Sequence, residues 1–300
     1  MGRVLVPILL LTLGASPSLR GQSEIADGPP RFTVDVPTVL VRVAVTDPLN
    51  RYVVGLDSSH FRVFEDKVEQ SISHFSNDAA PISVGLVLDI SGSMSDNILS
   101  ARTSIARFLE QGDPGDEYFL VGFNDRSTLI QDFTSSGDTI RNESTFANPK
   151  GQTALYDAIY LGLQKMTEAR NEKKAIIVIT DGEDNKSRYT FNEVKEFVKE
   201  SDTQMYVIGE QGDLGYGRGI INEIVRLTGG RAFFPHNFKQ LDYFVDLIHT
   251  ELRNQYVLGF IPSDRNFNGE WRKLSVRLEP PEGLPKLHVR AREGYFAPRK

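Results

Sequence analysis

Three short segments carry side chains suited to holding a hard metal cation. In Asp89-Ile90-Ser91-Gly92-Ser93, an apolar run from Val84 to Leu88 ends in one carboxylate and two hydroxyls at alternating positions. Gly151-Gln152-Thr153-Ala154-Leu155-Tyr156-Asp157 adds a hydroxyl, and Ile179-Thr180-Asp181-Gly182 adds a carboxylate. Oxygen donors of this kind suit Mg²⁺, Ca²⁺ or Mn²⁺. Two carboxylates nearly neutralise a divalent cation. A site built from Asp89, Ser91, Ser93, Thr153 and Asp181 therefore still accepts an anion. Mg²⁺ prefers near-octahedral coordination at ~2.0–2.1 Å and usually keeps several waters. Three hydroxyls and carboxylate-held waters leave one position for a carboxylate from outside. Each residue also has a plainer use. Serine and threonine cap helices, and Asp181-Gly182 can be a simple turn. The metal reading rests on all three segments reaching one rim.

The elements that would place them there run from Pro81 to about Asn254, where strand and helix patterns alternate. Val84–Leu88, Tyr118–Phe123, Ala175–Ile179, Met205–Ile208 and Ala232–Phe234 read as buried strands. Between them, apolar residues recur at helical spacing: Ile98, Ala101, Ile105 and Leu109; Leu155, Ile159, Leu163 and Met166; Val194, Phe197 and Val198; Leu241, Val245, Ile248 and Leu252. Thr190-Phe191-Asn192-Glu193 is a capping box that starts a helix. Ser127–Phe133 follows its predecessor too closely for a helical crossover and predicts an antiparallel edge strand. The fold class is α/β, a doubly wound, mostly parallel sheet with one antiparallel edge. In such sheets ligands bind at the carboxyl ends of the strands, where Asp89 and Asp181 fall. Asp157 reads as a helix-N-terminal carboxylate rather than a ligand. Glu183 and Asp184 read as solvated loop charges, and the glycines of Gly209–Gly219 as a mobile loop.

On both sides of this block the period is two. Val39, Val41, Val43 and Val45 share one side of a strand, and Phe61–Phe64 leads into a turn at Glu65-Asp66-Lys67. Leu274, Val276 and Leu278 alternate with polar residues, as do Leu287, Val289 and Ala291. Neither end has enough strands to bury a face alone. Segments 32–78 and 255–298 are therefore expected to build one small β-sandwich around the 81–254 domain. Residues 1–22 read as a secretion signal: Arg3, an apolar stretch from Val4 to Leu13, then Gly14, Ala15 and Ser16. At roughly 1.5 Å per residue that stretch is too short to span a ~30 Å hydrocarbon core, and no other segment is long enough. Loss of Arg3 and Arg20 would take the formal charge of −6 to about −8. The expected location is the periplasm or the exterior.

Asp89-Ile90-Ser91-Gly92-Ser93 with Thr153 and Asp181 resembles the metal-ion-dependent adhesion site of von Willebrand factor type A domains. The resemblance covers Pro81 to about Asn254. It implies Ser91 and Ser93 directly on the metal, Thr153 direct or through water, and Asp89 and Asp181 acting largely through water. Tyr256-Val257-Leu258-Gly259-Phe260 and Arg292-Glu293-Gly294-Tyr295-Phe296-Ala297-Pro298 look like the secreted bacterial VWFA-related domain proteins.

A negative net charge without a Lys/Arg cluster argues against a nucleic-acid partner. The absence of cysteine excludes disulfides, thiolate metal sites and a cysteine nucleophile. Catalysis lacks its parts: Ser91-Gly92-Ser93-Met94-Ser95 misses the second glycine of a nucleophile elbow, and His60, His74, His236, His249 and His288 are scattered. The expectation is a Mg²⁺-dependent protein-binding module whose partner supplies an Asp or Glu. A structural module of an envelope assembly is the alternative, and a metal-dependent hydrolase is a third reading.

Overall fold

The structure is a computed structural model and describes residues 38–209 and 217–299. The leader-like segment 1–22 lies outside these residues. Runs that are apolar at every position become strands covered on both faces. β5 (Ile82–Asp89) is buried along its whole length, as are β6 (Glu117–Phe123) and β9 (Gln204–Gly209). With β7 (Ser127–Thr134), β8 (Lys173–Thr180) and β10 (Arg231–Phe233) they form a six-stranded sheet in the order β10-β9-β8-β5-β6-β7. All neighbours are parallel except β6 and β7, so Ser127–Phe133 is the expected antiparallel edge.

Side-chain alternation divides the core between two faces. Val84, Leu86 and Leu88 point to one, under α1 (Ile98–Glu110) and α6 (Leu241–Arg253), meeting Ile105, Phe108, Val245 and Ile248. Val87, Phe119 and Val121 point to the other, under α3 (Leu155–Met166), α4 (Phe191–Glu200) and α5 (Gly217–Thr228). Gly85 has no side chain because the Phe119 ring lies across it; an added Cβ would sit 2.3 Å from that ring. The Thr190–Glu193 capping box is formed in both directions.

Two helices escaped the sequence reading. α2 (Gly137–Thr145) buries only Ile140 and Ser144, which is too little periodicity to register. α5 begins at Gly217, inside the stretch expected to be a loop. Ile220, Ile221, Ile224 and Val225 carry a helical stripe, and the preceding glycines obscured its start. Gly209 closes β9, and residues 210–216 lie outside the described ones.

The flanking segments form two antiparallel sheets over one core. β1 (Val39–Thr46) and β4 (Ile72–Ser76) join β11 (Tyr256–Phe260) and β13 (His288–Ala291) in the order β13-β1-β11-β4. β2 (Phe61–Glu65) and β3 (Val68–Gln70) join β12 (Trp271–Leu278) and β14 (Gly294–Phe296) in the order β14-β12-β2-β3. Each sheet thus mixes early and late strands. Asp66 and Lys67 make the β2–β3 turn with φ of 45° and 74°, the positive angles that two-residue hairpins demand. Val41, Val43, Phe61, Tyr256, Leu258 and Leu274 fill the space between the sheets.

Only Asn254 and Gln255 separate α6 from β11. Beside that joint Glu251 is fully buried. It accepts hydrogen bonds from Tyr52 (2.7 Å), Tyr206 (3.0 Å) and Arg290 (2.6 Å), tying the sandwich to the α/β block. No described helix is long and apolar enough to cross a membrane. Leu88→Ala should cost about 2–5 kcal/mol, since it empties space in a strand buried on both faces. Leu49→Ala, at a side chain 72% exposed, should change stability by less than about 0.5 kcal/mol. Urea unfolding midpoints of the two variants check this contrast.

Candidate metal centre

The strand order reverses between β5 and β8, and the crevice at their carboxyl ends is where ligands of such sheets bind. Asp89 is the last residue of β5, and Asp181 follows the last residue of β8. Both are buried. Asp89 Oδ1 accepts the Ser91 N–H (2.8 Å) and Oδ2 accepts the Thr180 hydroxyl (2.6 Å). Ser91 Oγ lies 3.0 Å from Ser93 Oγ, and Ser93 donates to Asp181 Oδ1 at 2.7 Å. Thr153 is buried, and its hydroxyl flanks the same point over Gly182 as Ser93 Oγ does, at 3.5 and 4.0 Å. All five sequence-selected residues therefore reach one rim.

The capping alternatives do not apply to these side chains. Ser91 precedes a short 3-10 turn over Gly92–Asp96 without capping it, and α3 is preceded by Ala154, not capped by Thr153. The turn itself is pinned by Met94, fully buried beneath it. Backbone bonds stitch it to its surroundings: Ile90 N–H to Phe123 O (2.8 Å), Gly92 N–H to Gly151 O (3.0 Å), and Lys150 N–H to Ile90 O (2.9 Å). Gly151 is at φ +79°, and an added Cβ would meet Asp125 Oδ2 at 2.4 Å.

A ring of polar residues outside the five holds them in place. Thr180 fixes Asp89. Asn185 Oδ1 accepts the Thr153 N–H (2.9 Å), while Thr153 O accepts the N–H groups of Asn185 and Lys186. Asp125 accepts from Gln152 N–H (3.1 Å). Asp157 accepts from Arg188 and Tyr189 N–H groups (2.9 and 3.1 Å), so it anchors the 187–189 loop. Glu183 and Asp184 are not simply solvated charges. Both are half-buried, Glu183 accepting from Gly217 N–H at the start of α5 and Asp184 from Tyr156 N–H in α3. Thr180 and Asn185 were overlooked because each sits beside, rather than within, the donor pattern; Thr180 lay one residue before Asp181.

Burial pushes the Asp89 carboxyl up to about 6. Hydrogen bonds from Thr180 and Ser91 oppose that rise, and the nearby Asp181 adds to it. No described residue gives Asp89 an ion pair. A buried carboxylate beside a second one favours a cation from solution. The candidate donor set is two carboxylates and three hydroxyls, and the described residues hold no group of three or more His, Asp or Glu placed to bind a metal ion. That composition fits a small, oxygen-preferring divalent ion that keeps water. No histidine hydrogen-bonds to the five residues in the described part of the chain.

Residues 84–183 match the family model of the von Willebrand factor type A domain. That match lies wholly within the central α/β block. Among solved structures, a von Willebrand factor type A protein from Catenulispora acidiphila superposes with a TM-score of 0.51 at 10% identity, covering 85% of this chain and 73% of that one. Proximal thread matrix protein 1 from the mussel byssus, with a zinc-occupied MIDAS motif, gives 0.50 at 20% identity, covering 62% and 48%. The PilB minor pilin of Streptococcus sanguinis gives 0.50 at 18% identity, covering 60% and 63%. The chain thus spans less than two thirds of the pilin and about half of the mussel protein. These likenesses establish the fold. No curated protein matches the sequence.

The raised Asp89 pKa has a definite sign. In metal-free protein its contribution to stability is present below about pH 4 and is lost as pH rises through about 6. Asp89→Asn keeps the shape without the charge. Its melting temperature in EDTA should match the parent's at pH 4 and exceed it at pH 7.5. Equal melting temperatures at both pH values would contradict the assigned cause.

Proposed function

We propose that this chain is an exported, divalent-metal-dependent protein-binding module, with Asp89, Ser91, Ser93, Thr153 and Asp181 holding the ion. The observation that carries the reading is the Ser91–Ser93–Asp181 hydroxyl and carboxylate chain beside buried Asp89, at the point where the sheet reverses. When bound, the cation supplies an open coordination position for an anionic oxygen. Mg²⁺ is the preferred ion on donor chemistry, with Ca²⁺ or Mn²⁺ as substitutes. The zinc-occupied MIDAS of the mussel byssus protein supports metal binding by this arrangement. A partner's Asp or Glu is the natural ligand for a site whose own two carboxylates only balance the ion.

Asp89 and Asp181 set the local charge. Ser91, Ser93 and Thr153 offer neutral oxygens, and the surrounding hydrogen bonds keep all five from turning outward. Binding is preferred over catalysis because the described residues of the rim show no base or nucleophile arrangement beyond the proposed metal set. Residues 1–22 would direct export to the periplasm or exterior, as in the secreted bacterial VWFA-related proteins that the sequence resembles. The 81–254 domain would carry the partner site, and the 32–78 and 255–298 segments would brace it.

A second reading, a structural module in an envelope assembly, draws on the minor pilin and byssus proteins among the similar folds. In that case the sandwich makes the contacts, and Ser93→Ala leaves association intact.

Mg²⁺ at a hundredfold excess over its Kd should stabilise the parent by about 2.7 kcal/mol at pH 7.5. Asp89→Ala and Asp181→Ala should abolish that gain in calorimetric melts. Without metal, Asp89→Ala should melt at or above the parent, because one of two neighbouring buried carboxylates is gone. A pull-down from native cell surface should retain partner protein with Mg²⁺ and release it with EDTA. Partner retention that ignores both EDTA and Asp89→Ala would defeat the proposal.

A further inference from the structure

At the opposite end of the same sheet lies a second crevice, formed where the sandwich meets the α/β block. Its volume is about 490 Å³, and Arg42 of β1 and Arg292, just before β14, stand in its wall. Arg42 donates through Nη1 to Asp202 O (2.9 Å) and through Nη2 to Glu172 O. Arg292 donates through Nε to Gly294 O (2.7 Å). Carbonyls are their hydrogen-bond acceptors, and neither guanidinium forms an ion pair with a described carboxylate. Burial lowers the pKa of both. The two Arg42 bonds tie β1 to the α/β block and account for that residue structurally. The terminal nitrogens of Arg292 make no hydrogen bond to a described residue, and the guanidinium lies 6.0 Å from the Tyr295 ring centroid.

A neighbouring groove of about 490 Å³ runs between α3 and α4 and shares Lys174, Glu200 and Asp202 with the crevice. Tyr160, Leu163, Met166 and Phe197 make it apolar, with the Tyr160 and Phe197 ring centroids 4.5 Å apart. The two spaces adjoin across Lys174, Glu200 and Asp202, with the guanidiniums on one side and the aromatic rings on the other. We propose that these adjoining spaces are a second binding site, which takes a peptide carboxylate adjacent to a bulky apolar residue. The planar guanidinium fork matches a carboxylate. Glu172, Glu200 and Asp202 are exposed at the mouth. These acids oppose any anion, a phosphate dianion more than a singly charged carboxylate, and can accept the backbone N–H donors that a peptide brings.

Lys174 is the second residue of β8 and Thr180 the last. At ~3.3 Å per residue the two sites are roughly 20 Å apart along the sheet. The chain would then engage one partner at the metal rim and a second at the far end.

The chain carries its own reporter. Trp271 is the sole tryptophan, and Lys199, which lines the crevice, lies with its Nζ 5.5 Å from that ring. The test titrates the full chain with three peptides in EDTA, read by Trp271 fluorescence and by isothermal titration calorimetry. Acetyl-Ala-Ala-Phe with a free carboxylate represents a chain terminus. Acetyl-Ala-Phe-Asp-Ala-amide represents an internal acidic residue, and acetyl-Ala-Ala-Phe-amide lacks the charge. At least one carboxylate peptide should bind saturably, and at least tenfold more tightly than the uncharged amide. Arg292→Gln should weaken that binding at least tenfold, and Tyr160→Ala should weaken it as well. If circular dichroism shows Arg292→Gln unfolded, Lys174→Gln takes its place. No saturable heat or fluorescence change with either carboxylate peptide would overturn the site. So would equal affinity for the amide, unchanged binding in the charge variant, or tighter binding of decanoate than of both peptides. Because EDTA is present throughout, the outcome is independent of the metal proposal.

Discussion

A carboxylate with no exposed surface, at the end of the most enclosed strand, is the constraint around which the rim is arranged. β5 is hydrogen-bonded on both edges and covered on both faces, so Asp89 cannot reach bulk water. Leaving such a group charged and unpaired costs several kcal/mol. Hydrogen bonds from Thr180 and the Ser91 backbone offset part of that cost. What remains is an unmet demand for positive charge, pointed at the crevice where the sheet order reverses. The hydroxyls of Ser91 and Ser93 lead from there to Asp181, which accepts a hydrogen bond from Ser93. Binding a cation there would relieve a strain that the fold itself creates.

Rigidity at the rim comes from many ordinary contacts rather than one strong one. Met94 plugs the first loop into the core, backbone bonds join it to the 150–151 loop, and Asn185 holds Thr153. Asp157, Glu183 and Asp184 use their charges on backbone N–H groups of the next loop or helix. The acidic residues around the rim thus divide into two kinds. Some orient loops through hydrogen bonds, while Asp89 and Asp181 face the crevice. Formal charge alone does not separate them.

The sandwich is more than an appendage. Its two sheets each combine strands from before and after the α/β block. The two-residue link between α6 and β11, and the buried Glu251 bonded to Tyr52 and Arg290, make the joint stiff. The crevice beside Arg42 and Arg292 is lined by residues of both parts.

Local periodicity determined much of this. Unbroken apolar runs marked β5, β6, β8 and β9, strict alternation marked β1 and β12, and Thr190 with Glu193 marked the start of α4, because each pattern follows from backbone geometry over a few residues. The five donor residues were legible by type, since hydroxyl and carboxylate oxygens have few joint uses at strand ends. α2 and α5 were not legible, as one has almost no apolar stripe and the other starts among glycines. Nor were the roles of Thr180, Asn185, Glu183 and Asp184, whose hydrogen-bond partners Asp89, Thr153, Gly217 and Tyr156 are each set by the meeting of separate loops, strands or helices. Tertiary structure alone decided the burial that raises the Asp89 pKa, the mixed parentage of both small sheets, and the crevice at the far end. Each depends on distances between segments remote in the chain, and those distances are fixed only when the core packs.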